Sequence, residues 1–185
     1  MLAPASPNWI DVLILLALFG GVALGLSQGL VRQLMSICAL YVATTLSLQY
    51  YRLVSTTLAD WLLDVGPAAR NGLAMALIFL VAFAVLGWLS FAVYPSTRIA
   101  TFELFDRLSG AIAAGVWAVI LSGIALSVTA YVLDGGYASW EQPRQAFDQL
   151  LLQSELSGPL LSVLPIVLRL VSPWLPYGMP APFVF

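Results

Sequence analysis

The sequence predicts an all-α integral membrane protein, with four transmembrane helices, short interfacial amphipathic helices and a proline-broken C-terminal tail. Three observations point there. Charged residues make up only 9% of the chain and hydrophobic residues 61%, whereas soluble domains carry about 25% charged residues. A water-exposed surface of this composition would aggregate. Four apolar runs are each long enough to cross a hydrocarbon core of roughly 30 Å. Two of those runs carry small residues four apart: Gly21, Gly25 and Gly29 in the first, Gly110 and Ala114 in the last. Four-residue spacing puts them on one helix face. In water each interior Gly costs about 1 kcal/mol relative to Ala; in lipid the missing Cβ atoms let a second helix approach closely. These two faces are expected to be partners.

The expected membrane domain covers 8–133, with spans at about 9–30, 34–51, 71–94 and 108–133; 134–185 is expected to be an interfacial helix and tail. Ser6-Pro7 reads as an N-cap and first-turn proline ahead of the first span. Residues 1–8 carry no Lys or Arg, so they lack the charged region of a secretory signal. Trp9 is placed as an interfacial anchor, and Asp11 falls in the first turns, where the helix dipole favours an acid. A short turn at Ser27-Gln28-Gly29 leads to the second span. That span carries Ser36, Thr44, Thr45, Ser47 and Gln49, and closes on an interface belt of Tyr50, Tyr51 and Arg52. Its hydroxyls can bond to their own backbone or across to a neighbour. Cys38, the single cysteine, reads as a small packing residue.

Residues 53–70 read as a short amphipathic interfacial helix, with Leu58, Trp61, Leu62 and Leu63 on one side and Asp60 and Asp64 on the other, ended by Gly66-Pro67. The third span has no charge and is apolar all round. Pro95-Ser96 ends it, and a polar break with Arg98, Glu103, Asp106 and Arg107 precedes the fourth. Asp134-Gly135-Gly136 stops the fourth span, and Ser139-Trp140-Glu141-Gln142 resembles a capping box for a further helix. Pro159, Pro165, Pro173 and Pro176 break the tail from Ser157 onward, so 160–168 reads as an interfacial or re-entrant piece rather than a fifth span.

Residue types exclude most chemistry. The chain has no His, all seven of its Lys+Arg total are Arg, and there is one Cys. Ser-His, Cys-His and Ser-Lys pairs are therefore impossible within it, as is an imidazole or thiolate-cluster metal site. No acid lies deep inside an apolar run, as an intramembrane aspartyl protease would need. No catalytic, cofactor-binding or metal residue is expected. The net charge of −2 and the lack of a basic cluster argue against a nucleic-acid surface and against a polybasic lipid patch. The expected partners are the lipid bilayer and either another copy of the chain or another membrane protein.

A set of edge charges remains: Asp11, Arg32, Asp106 and Arg107. Each can rest in the headgroup zone, the arginines by snorkelling. The sharper expectation pairs Arg32 with Asp106, since a two-span excursion brings both to one membrane face. Asp11 then lies at the opposite face, out of reach of Arg107. Arginine density at the tight turns favours a cytoplasmic location for Arg32 and Arg107, with both termini outside.

The order of short motifs resembles a known family. Trp9-Ile10-Asp11 opens the first helix, Gly29-Leu30-Val31-Arg32 closes it, Arg70-Asn71-Gly72 enters the third, and Asp106-Arg107 followed by Gly110 opens the fourth. In this order and spacing, over roughly 8–133, the chain is similar to the colicin V production protein (CvpA) family. Gln28 stands where the family often has Arg, Gln33 where it often has Glu, Ala114 where Gly is common, and Trp117 where a basic residue is frequent. The resemblance implies a bacterial inner-membrane protein of about four spans, associated with colicin V production, meaning toxin biosynthesis or export. Two function classes stay open: a non-enzymatic scaffold or accessory protein acting through helix–helix contacts, and a small oligomeric transporter or channel lined by Ser36, Thr44, Thr45 and Ser47.

Overall fold

A computed structural model describes residues 8–62, 65–93, 102–135 and 140–175. The fold is helical: α1 (Trp9–Gln28), α2 (Leu30–Ala59), α3 (Pro67–Val93), α4 (Glu103–Asp134), α5 (Glu141–Gln153) and α6 (Ser157–Val171), with a 3-10 turn at Ser172–Trp174. Among the described residues, five helical segments are long and apolar enough to cross a membrane: α1 to α4 and Ser157–Trp174. The four-span expectation thus undercounts the candidate segments by one.

Prolines do not break α6, and their positions say why. Pro159 lies in the first turn, where backbone N–H groups have no helical partner in any case. Pro173 falls in the opening of the 3-10 turn. Only Pro165 lies inside the helix. Against its lost hydrogen bond stand Leu160, Leu164, Leu168 and Val171, a stripe buried against the other helices. Packing therefore keeps a helix that local sequence disfavours.

The second helix also differs from expectation. It runs for 30 residues without interruption, about 45 Å, so 53–59 continues it and is no separate interfacial helix. Nothing in that stretch stops a helix, and Thr56 and Thr57 hydroxyls donate to the Leu53 carbonyl one turn back. Leu63 and Asp64 lie outside the described residues. Tyr51 leaves the expected interface belt for the core, where it joins Leu48, Ala74, Met75, Ile124 and Leu168. Cys38 is exposed rather than packed.

Two helix pairs form the bundle. α1 lies against α4 and α2 against α3, while α1 and α2 meet mainly at the residue that joins them. α6 packs on α4 beside Gly123, whose missing Cβ faces the Leu160 carbonyl oxygen at 3.5 Å, and its Leu160 meets Ile10 and Ile14 of α1. The amphipathic α5 covers that second core with Phe147, Leu150 and Leu151. Its expected capping residue, Ser139, lies outside the described residues, and Trp140 at its N-cap makes no side-chain cap bond. The bundle has two ends. One holds the α1–α2 joint and the start of α4; the other holds the start of α1, the α5–α6 turn and the close approach of Gly66 to Gly135.

Candidate functional site

Gly29 is the whole connection between α1 and α2. Its φ of +82° lies in the left-handed region that glycine tolerates and other residues resist. Its N–H closes α1 on the Gly25 carbonyl at 3.0 Å. As the N-cap of α2, however, it has no side chain to offer the first turn. Asp106 of α4 supplies the missing acceptor: the Leu30 N–H donates to its Oδ1 at 2.9 Å. Asp106 is only 2% exposed, and the positive end of the α2 dipole offsets its charge.

Close backbone approach makes this reach possible. A Cβ on Gly25 would collide with the Gly110 carbonyl oxygen and lie 2.7 Å from Ala114 Cβ. A Cβ on Gly110 would lie 2.7 Å from the Gly25 carbonyl oxygen. At Gly21 the contact is looser, 3.0 Å to Ala118 Cβ. At Gly29 the space is taken by the Asp106 carboxylate. The small-residue faces of α1 and α4 are therefore in contact, and their last step is the acid that caps α2.

Asp106 does not pair with Arg32. Among the described residues Arg32 forms no ion pair, and its Nε and Nη2 are buried without a hydrogen-bond partner. Its Cζ lies 3.4 Å from the centroid of the Phe91 ring on α3. The Leu30 N–H had a claim on the Asp106 carboxylate that spacing between charges could not show. Arg107 turns to its own helix and pairs with Glu103 at 2.5 Å, one turn back and exposed.

The opposite end repeats the device. α6 starts after Leu156, which cannot cap it. Asp11 of α1 accepts from Ser154 Oγ at 2.6 Å and from the Leu156 N–H at 3.2 Å. Asn8 caps α1: its Oδ1 accepts from the Ile10 N–H at 3.0 Å, while its Nδ2 donates to the Leu150 carbonyl at 2.6 Å; Ser6 and Pro7 lie outside the described residues. Ser157 closes the turn by donating from Oγ to the Leu151 carbonyl. Asp11, expected to serve only its own helix, is thus a tertiary contact, whereas Arg32, expected to be one, has no polar partner among the described residues. Ser154, Asn8 and Gly135 were not expected in these roles. The signal that could have found Ser154 is its place three residues before Ser157, whose N–H donates to Ser154 Oγ at 3.0 Å.

The hydroxyls proposed to line a pore are spent on backbone. Ser36, Thr44 and Thr45 donate to carbonyls one turn back, and Ser47 donates to the Met75 carbonyl of α3 at 2.7 Å. Thr44 and Ser47 border a cleft of about 370 Å³ between α2, α3 and α4, whose remaining walls are chiefly apolar, among them Met75, Phe79, Leu121 and Ile124.

Long apolar helices tied together by acids at helix starts, Asp106 buried and Asp11 nearer the surface, define a multi-pass helical membrane protein. A family model described as colicin V production protein matches residues 10–163. The chain belongs to that family. No curated protein and no solved structure matches it.

Proposed function

We propose that the protein is a non-enzymatic scaffold or accessory protein of the bacterial inner membrane that serves colicin V production through helix–helix contacts. Membership of the colicin V production family supports the process. The observation that carries the scaffold reading is the use of the buried polar groups. Asp106 and Ser47, and at the surface Asp11, make their hydrogen bonds to other helices and so hold the helices to one another. A polar group buried at a helix joint stabilises a fixed arrangement, because leaving it unpaired costs about 1–3 kcal/mol.

In this reading the end with Arg32 and Arg107 faces the cytoplasm and the start of α1 faces outside. The expectation of two outside termini is retained for the N-terminal end; α6 enters the bundle from that end and heads inward, and 176–185 lies outside the described residues. Crosslinking in native membranes followed by pull-down tests the scaffold role, with a reproducible protein partner, another copy or a secretion component, as the expected result. Solute or ion flux through liposomes holding the purified protein alone would replace it with the transporter reading.

A further inference from the structure

We infer that Arg32 forms a binding site for the phosphate of an anionic phospholipid headgroup. Arg32 stands in the first turn of α2, at the end of the bundle, where a helix that crosses a bilayer meets the headgroups. Its guanidinium is a planar cation with five N–H donors and no acceptor. Every acid described at this end is spoken for: Asp106 caps α2, and Glu103 pairs with Arg107. The positive charge of Arg32 is therefore uncompensated, while its Nε and Nη2 donate to nothing among the described residues. An unpaired cation withdrawn from water is costly.

The surroundings say what kind of anion compensates it. Phe91 covers one flat face of the guanidinium, which leaves the donor-bearing edge for an anion that offers two oxygens side by side, as a phosphate does. Arg32 as a whole is partly exposed although Nε and Nη2 themselves are buried, so a phosphate arriving at its exposed side takes these donors as the side chain turns outward. Leu34, Phe91, Val93 and Phe105 near this end of the helices are exposed and apolar, a surface for acyl chains rather than for water. A ligand with a phosphate and acyl chains meets both demands. A headgroup with net charge −1, such as phosphatidylglycerol, is favoured over phosphatidylethanolamine, whose ammonium brings a second cation to the same place.

The test is thermal unfolding of the full chain in mild detergent, titrated with dioleoyl-phosphatidylglycerol, dioleoyl-phosphatidylethanolamine or inorganic phosphate. Phosphatidylglycerol is expected to raise Tm of the wild type and of Arg107→Gln, the latter removing an arginine at the same end that already has a partner. Arg32→Gln is expected to need about tenfold more lipid for the same rise. Equal titrations for Arg32→Gln and wild type would overturn the site. So would equal shifts from the two lipids, which needs no variant and stands even where Arg32→Gln does not fold. A full shift from inorganic phosphate would overturn the lipid as its ligand.

Discussion

Asp106 and Gly29 act as one unit. The acid holds the Leu30 N–H, and the glycine both bends the chain and leaves room for the carboxylate. Asp106→Ala removes the acceptor and leaves a donor unpaired, a loss of about 1–2 kcal/mol. It should lower Tm in detergent clearly, and Asp106→Asn, which keeps an acceptor oxygen, should lower it less; an unchanged Tm for Asp106→Ala would mean the cap contributes nothing. Gly29→Ala meets two penalties: an L-residue in left-handed backbone, about 1–2 kcal/mol, and a Cβ placed on the carboxylate. It should be at least as damaging as Asp106→Ala by the same unfolding assay. Neither consequence is readable from Gly29 in the sequence, where it is one member of a row of three, because only the fold says which neighbour fills the missing Cβ.

The contact between α1 and α4 depends on missing atoms. Gly25→Leu would drive a side chain into the Gly110 backbone and Ala114, whereas Leu16 is 64% exposed on the same helix. Gly25→Leu should therefore lose the folded bundle or cut its detergent half-life severely, while Leu16→Ala stays close to wild type; matching losses would dismiss the glycine contact. The α5–α6 turn hangs on Asp11 by a different logic, that of donors without a local acceptor. Ser154→Ala together with Asp11→Asn should raise amide hydrogen exchange in 150–160 while α2 and α3 remain protected, since the joint lies at one end of the bundle. Spacing of small residues made the first contact legible. The second was hidden, because Asp11 in the first turn of α1 already had an adequate local explanation in the helix dipole.

For the molecule as a whole, the two ends differ in what they display, and sidedness can be measured. In a Cys38→Ala background, Glu103→Cys and Gln153→Cys place thiols at exposed positions on opposite ends. With the proposed orientation, a membrane-impermeant maleimide should label Gln153→Cys on intact spheroplasts and Glu103→Cys only after permeabilisation; the reverse pattern would invert the protein.

Membrane character, the first, third and fourth long helices, and the partnership of the Gly25 and Gly110 faces were all legible in the residues. Hydropathy and small-residue spacing are local properties that lipid reads directly. The continuity of α2 and the existence of α6 were not, since each depends on neighbours: Tyr51 goes into the core, and the stripe of Leu160, Leu164 and Leu168 offsets Pro165. The fate of the charges was the least legible. Opposite signs at one membrane face suggested a pair, but Asp106 could satisfy either Arg32 or the bare start of α2. Tertiary structure chose the helix start, because burying an amide N–H without an acceptor leaves it no alternative, whereas an arginine at the bundle edge can turn to a ring and to lipid.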